Sequence, residues 1–229
     1  MSSRTPHSSE ETNPERIHEG GVTVQREKRI RDVVHKRQSD ILIILENVHD
    51  PHNIGAVLRS CDSVGIIEVF VIYTADALSQ ETLDIALRGR SSSGAFKWVK
   101  TTLFHSVADC VIAARGRVDK ILGTHLNEEA KSIFDTDMAQ SLAIVFGNEK
   151  DGISDELYSE LDGNIFIPQV GMVKSLNISV ACAVTLYELF RQRSEKGLYD
   201  HEEGFDQGLY DRYAAKTPPF RKKKRNLMD

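Results

Sequence analysis

Two loops carry the residue types that a ligand site needs. Gly147-Asn148-Glu149-Lys150-Asp151-Gly152 follows the apolar run Leu142 to Phe146, and Pro168 to Asn177 follows Ile165 to Ile167. The second loop reads PQVGMVKSLN and leads into a helix rich in small residues, expected over Ile178 to Arg193. Glycines let a backbone approach a ligand closely, so that its N–H and C=O groups can read the ligand's edge. Strand, glycine-bearing loop and helix in succession place such a site at the carboxyl ends of parallel strands. Taken singly, the same residues have plainer uses: Gly147 and Gly152 as turn residues, Ser175 or Asn177 as a helix cap. The joint order is what points to a site.

Common nucleotide and nucleophile motifs are missing. The chain holds no GxGxxG, no GxxxxGK[ST] and no GxSxG, which removes the dinucleotide fingerprint, the Walker A loop and the hydrolase elbow. Its eight histidines are scattered and no Cys or His pair has zinc spacing, so no metal is expected. Cys61, Cys110 and Cys182 each sit in an apolar stretch and read as reduced core thiols of a cytosolic protein. No apolar run reaches the roughly 18 residues a membrane span needs, and the polar N-terminus is not a secretory signal.

The elements that must position the loops alternate between strand and helix. Ile41 to Leu45 is a continuous apolar run, as in a strand buried on both faces of a parallel sheet. Pro51 stops it, and Asn53 is placed to cap a helix whose apolar face holds Ile54, Val57, Leu58, Cys61 and Val64, with Arg59 near the opposite face. Ile67 to Tyr73 is a second buried strand, residues 74–97 read as irregular, and Trp98 beside Val99 reads as core. A helix is expected over Val107 to Arg115, a strand over Lys120 to Thr124, and a loop with a short helix over Asn127 to Gln140. The pattern predicts an α/β fold: an open, mainly parallel sheet with helices on both faces.

Charge is uneven along the chain. The net charge is −5, yet residues 25–37 carry six Lys/Arg against two acids, and residues 216–225 carry six with none. Local patches rather than the sum decide phosphate binding. A basic helix is expected from about Val24 to Gln38, with Arg26 and Arg29 neighbours on its surface. Residues 1–22 are polar and expected to be disordered. Leu198 to Tyr213 is acidic and aromatic, with Tyr210, Tyr213 and Phe220 available for packing.

Three stretches resemble one family. LENVHDPHNIGAVLRSCDSVG, GNEKDGIS, and IPQVGMVKSLNISVACAV with its closing RQR are similar to the three motifs of the SPOUT RNA 2'-O-methyltransferases, SpoU/TrmH branch. SSSGAFKWV at 91–99 is similar to the family's small-residue loop before a Lys-Trp pair. The resemblance covers roughly residues 24 to 213. It implies a C-terminal deep trefoil knot with terminal helical extensions, S-adenosyl-L-methionine as cofactor, and a homodimer whose sites lie across two subunits. Matched position by position, it assigns the cofactor to Thr124, Gly147, Ile167, Met172 and Leu176, and the reaction to Asn53, Arg59, Glu149, Ser175 and Asn177.

The acceptor it implies is a ribose 2'-hydroxyl, a poor nucleophile until its proton is being removed. His52 and Glu149 are the usual kinds of base. The family gives that role to the Arg matching Arg59. A guanidinium with a pKa above about 12 rarely yields its proton, so orienting a phosphate or the ribose is the alternative role.

With 40 residues before Ile41, about half of them expected to be disordered, no separate RNA-binding domain is expected there. The expected basic N-terminal helix with a C-terminal extension is similar to the layout of the branch's tRNA (guanosine-18-2'-O)-methyltransferases. The expected partner is therefore tRNA, held by Arg26, Arg29, His52, Arg191 and Arg193. Ribosomal RNA, another tRNA position, or RNA binding without activity are the alternatives. The expected domains are residues 1–22 as a tail, 23–39 as the basic helix, 40–196 as the methyltransferase domain and 197–229 as the extension. The expected setting is cytoplasmic.

Overall fold

The apolar run after Asp40 becomes an interior strand of a seven-stranded sheet. The computed structural model describes residues 23–74, 94–173, 175–200 and 205–216. The expected tail (1–22), residues 75–93 of the expected irregular stretch with Ser91 to Ser93 of the small-residue loop, Lys174, Phe220 and the basic residues 221–225 lie outside them. The chain divides into two compact units, one of residues 35–204, the other of those before 35 and after 204.

In the larger unit the strands are β1 (Ile41–Glu46), β2 (Glu68–Ile72), β3 (Lys100–Phe104), β4 (Lys120–Thr124), β5 (Lys131–Ser132), β6 (Leu142–Phe146) and β7 (Gly163–Phe166). Their order is β3-β2-β1-β6-β4-β7-β5 and every pairing is parallel. β1 lies between β2 and β6, with Ile43 opposite Val69 on one side and Ile144 on the other. All six of its residues are buried, because a central parallel strand is covered on both faces. Ile41, Ile43 and Leu45 enter one core and Leu42 and Ile44 the other, the period-two alternation of a strand.

The helices cover these faces. The first core receives α2 (Pro51–Ser63) through Ile54, Val57, Leu58 and Cys61, and α5 (Ile178–Glu195) through Cys182, Leu186 and Leu189. The second receives α3 (Val107–Arg115) and Leu157 of the short α4 (Asp155–Tyr158). The three cysteines are free and buried, as expected. Burial pushes the Cys110 thiol up to about 12 and the Cys61 thiol well above its usual value; Cys182, hydrogen-bonded to Cys61, adds to the latter shift.

Several expectations are corrected in detail. α2 begins at Pro51 and Asp50 is its cap, accepting from His52 N at 2.8 Å, which leaves Asn53 inside the first turn. Residues 100–104 form a strand that composition did not suggest, because they lie at the half-exposed edge of the sheet. Between Asn127 and Gln140 the regular element is the two-residue β5. Trp98 is half-buried.

The smaller unit holds α1 (Val24–His35), whose last residue belongs to the larger unit, and α6 (Gln207–Ala215). Arg26 and Arg29 are exposed. Arg31 pairs with Glu27 at 3.0 Å and lies over the rings of Phe205 and Tyr210, at 5.4 and 4.7 Å.

Candidate functional site

The chain runs outward from β1 through β2 to β3, then returns to place β6 and β4 on the other side of β1. Loops leaving neighbouring strands diverge at such a reversal and open a crevice. Next to this reversal, on the side of β6 away from β1, the loops after β4, β6 and β7 surround a cavity of about 490 Å³, within the usual range of small-molecule sites.

The loop after β6 is held by side chains on β1 and just beyond it. Glu46, fully buried, accepts from the backbone N–H and the hydroxyl of Ser154. Asn148 Nδ2 donates to Asn47 O at 2.8 Å, while its Oδ1 accepts from Lys150 N and Asp151 N. Asn47, at φ 50°, exchanges two hydrogen bonds with Thr74. Gly152 takes φ 75°, and a Cβ on Gly147 would meet Gly152 C at 2.2 Å, so both glycines are required by the fold of the loop. Tyr73 steadies the loop after β1 by donating to Val48 O at 3.3 Å, and burial pushes its hydroxyl up to about 12.

Three of the expected reaction residues form one chain of hydrogen bonds. Asn53 Nδ2 donates to Glu149 Oε1 at 2.8 Å, and Asn177 Nδ2 donates to Asn53 Oδ1 at 3.1 Å. Asn177 also caps α5, accepting from Ser179 N at 2.9 Å and from the Ser179 hydroxyl at 2.6 Å. Glu149, Ser175 and Asn177 line the cavity and are exposed, which makes this its polar mouth.

Of the expected cofactor residues, Thr124, Gly147, Ile167 and Leu176 line the cavity. The Thr124 hydroxyl donates to Val145 O at 2.8 Å, tying β4 to β6. Met172 is 99% exposed and outside the lining, so its side chain does not supply an apolar wall. Arg59 lies on the exposed side of α2, also outside the lining; the six residues separating it from Asn53 span about 9 Å of helix.

The expected RNA contacts divide. His52 is exposed at the start of α2. Arg191 is exposed and paired with Glu188 and Glu195 at 2.8 and 2.6 Å. The Glu188 carboxyl is held below its usual range by the Arg191 hydrogen bond, against the opposing effect of burial. Arg193 is corrected: its side chain is 3% exposed and grips Asp40 at 2.7 Å, Gln38 Oε1 at 2.7 Å and Ala139 O at 2.9 Å. A guanidinium spent on these partners ties α5 to the start of β1 and has no fork to offer a phosphate.

Glu46, Asn47, Asn148, Ser154 and Thr185 did not stand out in the sequence. A carboxylate closing an apolar run was a usable signal for Glu46, since a charge there must find a partner. Among the described residues no group of acids, histidines and cysteines could hold a metal ion, and no helix is long and apolar enough to cross a membrane.

The chain is similar to known proteins. The chain is 38% identical over 193 residues to the tRNA (guanosine(18)-2'-O)-methyltransferase of Thermus thermophilus, covering 84% of this chain and 95% of that one. The crystal structure of the A. aeolicus TrmH/SpoU tRNA modifying enzyme superposes with a TM-score of 0.71 at 32% identity, over 84% of this chain and 96% of that one. The SpoU methyltransferase AviRb of Streptomyces viridochromogenes, solved with AdoMet, gives a TM-score of 0.58 at 29% identity, over 69% and 62%. The profile of the SpoU rRNA Methylase family matches residues 40–187, a span that runs from the start of β1 into α5 and takes in every loop around the cavity. By that match and these identities, the chain belongs to the SpoU methylase family.

Proposed function

We propose that this chain methylates a ribose 2'-hydroxyl of tRNA, that of guanosine 18, with S-adenosyl-L-methionine as the methyl donor. The observation that carries the reading is the Asn53–Glu149–Asn177 chain of hydrogen bonds at the mouth of a cavity of about 490 Å³. The target follows the T. thermophilus relative, which matches over nearly its whole length.

The residues present fit the cofactor. Apolar side chains at Ile133, Ile165 and Ile167 suit a flat base, and Gly147 lets the backbone approach it. Once bound, the cofactor supplies an electrophilic methyl group on a sulfonium. The protein supplies position: Glu149, Asn53 and Asn177 fix the acceptor end of the cavity, so that little rearrangement is left for the reaction. Arg59 orients the acceptor through a phosphate, its guanidinium offering two oxygens a rigid fork. Ser175 completes the mouth.

A homodimer supports this arrangement. Val180, Val184, Tyr187 and Phe190 form an exposed apolar stripe on α5, the helix whose Ile178 and Ala181 line the cavity. Of the small residues on this helix, Cys182 and Thr185 are buried inside the subunit, so the stripe is the face a second subunit covers. Arg59 then reaches the cavity of the other subunit. Membership also favours the trefoil knot, with the chain beyond β7 threaded through an earlier loop. β6 and β7 straddling β4 is consistent with that path. Arg26 and Arg29 bind tRNA phosphates, and a cytoplasmic setting follows from the substrate.

Mapping ribose methylation in RNA from cells lacking this protein tests the reading. Loss of the methyl group at guanosine 18 with ribosomal RNA unchanged is expected. Loss confined to ribosomal RNA would overturn it.

A further inference from the structure

The cavity has two unlike ends. At the mouth stand Glu149, Ser175 and Asn177, all exposed. At the closed end stand Ile133, Phe146, Ile165 and Thr185, each exposed by no more than 2%. Ile178, Ala181 and Thr185 follow one another along one face of α5. From Ile178 to Thr185 the helix rises about 10 Å, so Thr185 is far from the acceptor end.

The Thr185 hydroxyl is fully buried and has no hydrogen-bond partner. A helical threonine ordinarily turns its hydroxyl onto the carbonyl three or four residues back. Here that bond is not made. Valine would fill the same space without the polar atom, and a buried hydroxyl left unsatisfied is costly. A polar group placed where it earns nothing from the protein points to a ligand.

The cofactor has three parts, and the lining selects among them. The sulfonium must lie within reach of the acceptor, at the mouth. The amino-acid tail carries two charges, and Glu149 at the mouth is the charged side chain of the described lining. Burying a zwitterion among Ile133, Phe146 and Ile165 would leave both charges without partners. The purine is neutral and flat and has hydrogen-bonding nitrogens on its edge.

We propose that Thr185 is an adenine-recognition residue, its hydroxyl hydrogen-bonding an edge nitrogen of the base at the closed end of the cavity. The assignment rests on S-adenosyl-L-methionine being the cofactor. It adds one side-chain contact to a site otherwise built from loop backbone and apolar walls.

Calorimetry on the full-length protein tests it with two ligands, S-adenosylhomocysteine and 5'-methylthioadenosine, which share the adenosine and differ in the tail. Thr185→Val should weaken both about tenfold, or about 1.4 kcal/mol. Thr185→Ala should do the same, and Thr185→Ser should stay within about twofold of the original. The melting temperature of ligand-free Thr185→Val should be no lower than that of the unaltered protein. Unchanged affinity of the Val variant for both ligands would overturn the proposal. A loss for S-adenosylhomocysteine alone would also overturn it, by moving the hydroxyl to the tail. Failure of the unaltered protein to bind either ligand would instead remove the cofactor reading beneath it.

Discussion

Asn53 Nδ2 donates to Glu149 Oε1 at 2.8 Å across 96 residues of chain, joining the first turn of α2 to the loop after β6. Its other amide atom accepts from Asn177, so one side chain ties α2 to the two loops, after β6 and after β7, that carry the mouth residues. Asn53→Ala breaks both links without burying a charge. Single-turnover methylation should fall by about a hundredfold, the scale of a lost positioning contact. Affinity for S-adenosylhomocysteine should change by less than about threefold, because the cavity walls are untouched. Equal loss in both would make Asn53 a brace for the cofactor loop.

Arg193 and the pair Arg26 and Arg29 should separate stability from RNA binding. Arg193→Ala removes a buried side chain bonded to Asp40, Gln38 and Ala139 and should destabilise the protein by about 2 kcal/mol in denaturant titration, since Asp40 is partly exposed and can be rehydrated. Near-native tRNA affinity is expected in the folded fraction. Replacing Arg26 and Arg29 with Ala should leave stability within about 0.5 kcal/mol and reduce the slope of log K against log salt by about two.

Glu68 predicts a pH dependence. Its side chain is buried between β2 and its surroundings, and burial alone would raise its pKa. Hydrogen bonds from Lys100 and Thr102 and the Arg117 guanidinium outweigh that and hold the carboxyl below its usual range. A depressed native pKa stabilises the fold fully above the unfolded value of about 4.3, and this contribution is lost as pH falls through the native value. Between about pH 5 and 3 the stability of Glu68→Gln should therefore fall less steeply than that of the unaltered protein. Parallel curves from acid titrations would contradict this.

The proposed dimer predicts complementation. Arg59→Ala and Gly147→Val should each lose most turnover, the second because its Cβ would strike the Gly152 backbone. If Arg59 serves the other subunit, a mixed dimer of the two variants has one complete site and should recover about half of normal turnover per dimer. No recovery in a verified mixed dimer would place Arg59 in its own subunit's site.

What could be read in advance follows from where each force acts. β1 and β6 are continuous apolar runs because they are covered on both faces, so composition reveals them. β3 reads KTTLF and is half-exposed at the sheet edge, where pairing with β2 rather than burial defines it. The loops around the cavity were legible through their glycines and polar residues. The Arg193 error has a simple source: its partner Asp40 is 153 residues away, and a charge in sequence does not say whether water or a buried carboxylate will meet it. Thr185 gave no signal, since a threonine among Ala, Cys and Val reads as one more small residue of a packed helix.

The central claim is methyl transfer to one ribose of tRNA. Purified protein, labelled S-adenosyl-L-methionine and two tRNA transcripts test it directly, one with guanosine 18 and one with 2'-deoxyguanosine there. Label at the 2'-oxygen of nucleotide 18 in the first transcript, and none in the second, is predicted. Equal label in both transcripts, or none in either while ribosomal RNA is methylated, would contradict it.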